Sequence, residues 1–158
     1  MKNFFKFLSI TLLAFTVSCS SDDDSSNSGG EENLVGGWDL VAYTLDQPQD
    51  INFDGTESTD VLAQVPCFDA SITFMSNGNF SSSTDEIDFD IDIVNEEAVI
   101  TCIDPVLNSG TWELNGNDLT TVSEGETETQ TINFSGDTFS FSFPDPLFGE
   151  TTFVFQRQ

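Results

Sequence analysis

The sequence contains no histidine, and its 158 residues include only three bases against 28 acids. Without imidazole, the chain cannot form a Ser-His or Cys-His nucleophile, a histidine metal ligand or a histidine pH switch. The formal charge of −25 also excludes nucleic-acid binding, because proteins neutralise phosphates with Lys and Arg. The same charge repels anionic lipid surfaces. The length predicts a single folded domain.

The first 18 residues have the organisation of a signal peptide. Lys2 and Lys6 are followed by an apolar run from Phe7 to Val17, which is too short to span a bilayer. The segment Thr16–Cys19 resembles a bacterial lipobox, which implies cleavage before Cys19 and lipidation of that cysteine. A plain secretory signal with an incidental cysteine is the alternative.

Residues 19–33 have the composition of a flexible tether, rich in acids, Ser and Gly. The run Ser21–Asp24 resembles the acidic tag that directs some Gram-negative lipoproteins to the cell surface. We therefore expect an outer-membrane lipoprotein exposed at the surface; a solvated linker on a periplasmic protein is the alternative. The predicted mature chain keeps all 28 acids and a single base, Arg157, so self-repulsion favours a monomer.

From Leu34 onward the chain alternates short apolar and polar stretches with turn signals. Asp85–Val94 places Ile and Phe on one face and acids on the other, and Thr138–Phe143 does the same with Phe against Ser and Thr. Turn signals such as Asn77-Gly78 and Ser135-Gly136 predict hairpins. One short helix is predicted over Thr59–Gln64, after the first strand, with Ser58 or Thr59 as its cap.

The pattern predicts an antiparallel up-and-down meander of about eight strands over residues 34–158. Closure into a barrel hides the strand edges best, and a two-sheet sandwich is the alternative. Several segments, in this order, resemble the bacterial lipocalin-like domain family of small lipoproteins, within the calycins: Leu34–Trp38, Ile72–Phe80, Gly110–Gly116 and Phe153–Arg157.

The resemblance implies a structural role for Gly36, Trp38 and Arg157, because in calycins an Arg from the end of the barrel packs on the first-strand Trp. A frayed terminal arginine is the alternative. The resemblance also implies a small hydrophobic ligand in or at the barrel. The many Phe side chains could instead fill the interior completely.

Cys67 and Cys102 remain as an even pair outside the cytoplasm, which predicts a disulfide. A reactive thiol is the alternative, but acidic surroundings without a nearby base disfavour a thiolate.

The segment Asp50–Asp60 resembles the first half of an EF-hand or dockerin calcium loop. Oxygen ligands would come from Asp50, Asn52, Asp54 and the Thr56 carbonyl. Position twelve is Val rather than Glu, so Asp60 would have to substitute. A polar loop rich in Asx turns is the alternative.

Catalysis is not expected, because the abundant Ser and Thr have no base to activate them. Three functions remain: a module that binds a small hydrophobic ligand, a solid structural or interaction module of an outer-membrane complex, and a calcium-stabilised domain that contacts glycans. Tyr43 and Trp112 are the candidate aromatics for glycan contact, or else belong to the barrel wall.

Overall fold

The computed structural model describes residues 29–92 and 97–158. The predicted signal peptide, Cys19 and most of the predicted tether lie outside the described residues. The elements in chain order are α1 (Gly29–Leu34), β1 (Gly36–Gln49), β2 (Ser58–Asp60), α2 (Val61–Gln64), β3 (Ala70–Phe74), β4 (Asn79–Asp92), β5 (Glu97–Asn115), β6 (Asp118–Ser123), β7 (Glu126–Thr131), β8 (Asn133–Ser135), β9 (Thr138–Asp145) and β10 (Gly149–Arg157).

The strands form one antiparallel sheet in the order β7-β6-β5-β4-β3-β1-β10-β9-β8, with β2 paired to β1. The first and last strands are neighbours, so that Trp38 pairs with Arg157. The two edge strands, β7 and β8, are joined through a single residue, Ile132, which is fully buried. Its N–H donates to the Asn117 carbonyl at 2.7 Å. The sheet is therefore a nearly closed barrel, which confirms the predicted fold class.

The hairpin turns follow the sequence signals. Gly78, Gly116, Gly125 and Gly136 all have positive φ, which glycine adopts without steric cost. Strand β4 begins earlier than predicted, because the acidic segment from Asp85 is continuous with Asn79–Thr84. The register of its pairing with β5 shifts between Thr84 and Glu86, where the serine-rich part of β4 meets the acidic part.

The predicted helix after the first strand is present but shorter. Ser58 and Thr59 belong to β2, and α2 begins at Val61. The prediction of Ser58 or Thr59 as the cap was wrong, because Asp60 Oδ1 accepts from the Ala63 N–H at 3.2 Å. Within the described residues, no helix is long and apolar enough to cross a membrane.

One end of the barrel is closed by a dense apolar core. Trp38, Phe74, Phe139, Leu34 and Ile132 are all fully buried there. The Phe139 ring meets Trp38 edge-on, with ring centroids 4.8 Å apart. This closed end also carries the chain termini of the barrel and the turn from β5 to β6.

Arg157 ties this end together. Its guanidinium carbon lies 4.3 Å from the centroid of the Trp38 ring. Nη1 donates to the Val35 carbonyl at 2.8 Å, and Nη2 donates to the Asn33 carbonyl. Gly36 has a φ of 136°, and a Cβ there would lie 2.7 Å from Nη1. Glycine at this position therefore lets the guanidinium approach the backbone.

Helix α1 is a feature that the sequence reasoning did not predict. It includes the last five residues of the predicted tether, and its Leu34 side chain is fully buried at the closed end. The Trp38 indole donates to the Leu34 carbonyl at 2.8 Å. Together with Arg157, the indole satisfies carbonyls that the end of the helix leaves free. The division into tether and barrel at Leu34 stays a prediction.

The second end of the barrel has its own small core beside β1. Leu45, Val61 and Val65 are buried there, with α2 packed over the end of the strand. Cys67 and Cys102 form a disulfide, with Cα atoms 5.8 Å apart, so the predicted bridge is confirmed. The bridge joins the segment after α2 to β5. Chain-entropy arguments give a stabilisation of about 4 kcal/mol for a loop of this length.

We expect Arg157→Ala to lower the free energy of unfolding by about 2 kcal/mol, since it removes a cation–π contact and two hydrogen bonds to helix carbonyls. Thermal denaturation followed by circular dichroism measures this. Gln156→Ala, at the exposed neighbouring position, serves as the control and should change little. Equal melting temperatures for Arg157→Ala and the wild type would contradict a structural role for the arginine.

Candidate functional site

The interior of the barrel holds a cavity of about 620 Å³. It begins above the closed-end core and extends toward the turn between β6 and β7. Ring side chains, hydroxyls and carboxylates all contribute to its lining: Ala70, Ser71, Ile72, Phe74, Phe80, Ser82, Thr84, Asn108, Leu119, Thr121, Ser123, Glu124, Glu126, Glu128, Gln130, Phe139, Phe141, Phe143 and Phe155. We call this space the lumen.

Four rings on two paired strands form one side of the lumen, which we call the phenyl wall: Phe139, Phe141, Phe143 and Phe155. Period-two alternation along β9 points its three Phe side chains inward. Phe155 lies opposite Phe139 in the ladder, with near-parallel rings whose centroids are 5.1 Å apart. The adjacent Phe153 stacks on Phe143 at 5.6 Å and extends the run of rings.

Three acids on the β6–β7 hairpin form another side, which we call the carboxylate wall: Glu124, Glu126 and Glu128. On β7 every second residue lines the lumen, and Thr127 and Thr129 lie between them on the other face. Glu128 pairs with Thr121, and Glu126 pairs with Ser123. All three carboxylates are solvent-exposed, so this wall forms part of the mouth of the lumen.

The two walls are next to each other but not hydrogen-bonded. Among the described residues the β8–β9 ladder ends at the pair Asn133 and Ser140, and β7 has ladder partners only on β6. Beyond that pair, β9 continues with the inward-facing Phe141 and Phe143. The chain closes the barrel near Ile132. Toward the mouth, β7 and β9 lie side by side without ladder hydrogen bonds.

The outer surface of the same sheet differs from its inner surface. Ser82 lines the lumen between Ile72 and Asn108, its partners in the ladder. Its neighbours Ser81 and Ser83, with Leu107 and Ser109, line a shallow groove of about 390 Å³ that Ser82 and Asn108 also border. The serine side chains at successive positions of β4 thus point alternately to the inside and the outside of the barrel.

Tyr43 lies between the lumen and the small core of the second end. Its ring stacks on Phe153 at 4.4 Å and approaches Phe68 at 6.0 Å. Burial, and secondarily the Asp145 carboxylate, raise the pKa of Tyr43. Trp112 packs edge-on against Phe74 at 5.4 Å, and its indole donates to the Met75 carbonyl at 3.1 Å. Both aromatics considered for glycan contact are therefore packed into the wall.

The predicted calcium loop is held together by hydrogen bonds from its own backbone N–H groups to its Asp and Asn side chains. Asp54 Oδ1 accepts from the Thr56 N–H at 2.7 Å, and Asn52 Oδ1 accepts from the Asp54 N–H at 3.3 Å. Donation from Thr56, and secondarily from Asn52 Nδ2 to Asp54 Oδ2 at 3.1 Å, lowers the pKa of the Asp54 carboxyl. Asp50 Oδ2 accepts from the Gly55 N–H at 2.9 Å. Asp60 is the cap of α2 and lies apart from these bonds.

Gln64 fixes this loop to the helix. Its Oε1 accepts from the Ile51 N–H at 2.6 Å, and its Nε2 donates to the Gln49 carbonyl at 2.6 Å. Asp50 Oδ1 is buried and has no hydrogen-bond partner among the residues that the structure describes. Within residues 29–92 and 97–158, no three His, Cys, Asp or Glu side chains are grouped as they would be around a metal ion.

Comparison with known proteins decides the family. The model of the lipocalin-like domain matches residues 34–141, which is more than half of the chain. The chain belongs to the lipocalin-like domain family. Proteins with this fold are typically binding proteins without enzymatic activity. No curated protein matches the sequence.

Solved structures also match this lipocalin-like chain. One is a crystal structure of a point mutant of the fluorescent protein UnaG, which is 10% identical. The match covers 80% of this chain and 97% of that one, with a TM-score of 0.37.

The structure brings together one group of the predicted site residues and separates another. Gly36, Trp38 and Arg157 meet at the closed end, whereas Asp60 does not join Asp50 and Asp54. The carboxylate wall was missed by the sequence reasoning. Its signal was the strict alternation of acidic or amide residues with Thr over Glu126–Thr131, which indicates a strand but not which face is inward.

Proposed function

We propose that this lipocalin-like protein binds one small, largely apolar molecule in the lumen. The supporting observation is the cavity of about 620 Å³ beside the phenyl wall. Binding pockets for small molecules have volumes of roughly 300–1,000 Å³ and are lined mainly by apolar and aromatic side chains. The lumen has that size, and nine of the nineteen residues that line it are apolar or aromatic.

The alternative is a structural or interaction module with a solid core. An eight-stranded barrel can be filled by its own side chains. Here the fully buried large side chains are concentrated at the closed end, while Ser82, Thr84, Thr121 and Ser123 line the space toward the mouth. Small side chains at inward positions favour the binding function. The protein is proposed to be non-catalytic, since the residues that line the lumen include no histidine or lysine that could activate a hydroxyl nucleophile.

Binding in the lumen is tested with N-phenyl-1-naphthylamine, a neutral apolar fluorophore. We expect saturable fluorescence enhancement at one molecule per chain. Ser82→Trp should abolish it, because an indole at this inward position fills the lumen. Ser83→Trp places the same indole on the outer surface and is the matched control. Equal enhancement by the two variants, both with wild-type melting curves, would contradict binding inside the barrel.

We further propose that Cys19 carries a lipid anchor after removal of residues 1–18, and that the protein is a monomer at the outer membrane, exposed at the surface or at the periplasmic face. The lipobox-like segment and the acidic run after it support this proposal. Radioactive palmitate fed to cells should label the wild type and not Cys19→Ala. Absence of label from the wild type would refute the anchor.

Calcium binding by the Asp50–Thr56 loop is a separate proposal. It is supported by the buried Asp50 Oδ1, which receives no donor from residues 29–92 or 97–158, in a loop already compacted by Asx turns. Ca²⁺ should raise the melting temperature of the wild type and leave that of Asp50→Asn unchanged. Asp118→Asn, which removes a carboxylate elsewhere on the surface, should respond like the wild type. A calorimetric titration without heat would exclude the site.

A further inference from the structure

The lumen carries a charge pattern that restricts what it can bind. Rings line its depth and one flank, and the carboxylate wall lies at its mouth. None of the residues that line it is a base. In the described residues the only base is Arg157, whose guanidinium is held over Trp38 at the closed end. The carboxylates at the mouth therefore have no basic partner within the lumen.

Ladder register sets a gradient of polarity along the β6–β7 side. From the closed end toward the mouth, the paired inward residues are Leu119 with Gln130, Thr121 with Glu128 and Ser123 with Glu126. Leu119 is buried and packs in the closed-end core, whereas Glu126 is exposed. An apolar group is thus favoured near Leu119, and a solvated positive group is favoured two inward-facing pairs further along, at Ser123 and Glu126.

The phenyl wall adds a second preference of the same sign. Phe141 and Phe143 are half-buried. They lie on the part of β9 that extends beyond its ladder with β8, toward the mouth. The face of an aromatic ring attracts a cation within about 6 Å of its centroid. Rings and carboxylates that line one cavity both favour an ammonium group. A carboxylate head, as in a fatty acid, would meet like charges at the mouth instead.

We propose that the ligand is an amphipathic organic cation, with an apolar body in the lumen and an amine or quaternary ammonium group at the carboxylate wall. This inference rests on the proposed binding function and specifies its ligand class. The carboxylates are solvated, so the selectivity is modest. An attraction between unit charges at contact distance in water corresponds to roughly a five- to tenfold change in affinity.

The test uses three compounds that share one apolar body: 4-phenylbutylamine, which is protonated at pH 7, neutral 4-phenylbutanol and anionic 4-phenylbutyrate. Each is titrated against the complex with N-phenyl-1-naphthylamine, and displacement gives its Kd. We expect the amine to bind roughly five- to tenfold more tightly than the alcohol. The carboxylate should bind more weakly than the alcohol.

Variants separate the carboxylate wall from the general negative field of the chain. Glu126→Gln with Glu128→Gln keeps the shape of the wall and removes two charges. Glu86→Gln with Asp88→Asn removes two exposed charges from β4, at positions that do not line the lumen. The first pair should bring the ratio of amine to alcohol affinity close to one, and the second pair should leave it near the wild-type value.

The outcomes distinguish the inference from the function on which it rests. Equal affinities for the amine and the alcohol, or an equal loss of preference in both double variants, would overturn the cation preference while binding in the lumen stands. Failure of the fluorophore and of all three compounds to bind would overturn the proposed function itself.

Discussion

Arg157 holds together segments of the chain that are more than a hundred residues apart. Its guanidinium lies on the Trp38 ring and donates to carbonyls at the end of α1. It is also the last residue of β10, which pairs with β1. One side chain therefore fixes the first strand, the last strand and the helix before the first strand at a single end of the barrel. Because the described residues contain no other base, no second arginine or lysine could take its place.

The closure at this end leaves the other end as the entrance for the proposed ligand. Leu34, Phe74 and Phe139 fill the barrel beneath Trp38, and Ile132 joins the two edge strands there. At the second end α2 and the disulfide form a small core with residues of β1, β4, β5 and the β9–β10 turn. The remaining side, between the β6–β7 turn and β9, is where the lumen opens. The large acidic excess of the chain is also present at this opening, because three of its carboxylates line the mouth.

Much of the fold was predictable because its patterns are local. Alternation along Thr138–Phe143 predicted both the strand and its inward Phe residues, and Asn-Gly pairs predicted the turns. The predicted signal peptide and the lipidation of Cys19 lie outside the described residues and stay predictions. Helix α1 was not predictable from its glycine- and acid-rich sequence, because what stabilises it is tertiary: buried Leu34 and carbonyls satisfied by Trp38 and Arg157.

The lumen illustrates a second limit of sequence reasoning. Both faces of β7 are polar, so alternation shows a strand without showing its orientation, which depends on pairing with Leu119 and Thr121. In the calcium motif the sequence spacing predicted a ligand that the fold uses for another purpose. Asp60 has the spacing of a ligand, yet α2 uses its carboxylate as a cap. Composition and spacing predict which groups are available, and strand register decides which of them share a cavity.

The most direct test of this account is a crystal structure of the protein with N-phenyl-1-naphthylamine. We expect the fluorophore inside the barrel, against the rings of Phe139, Phe141 and Phe155, with Arg157 still over Trp38. A fluorophore on the outer groove beside Ser83 and Leu107, with side chains filling the lumen, would contradict it.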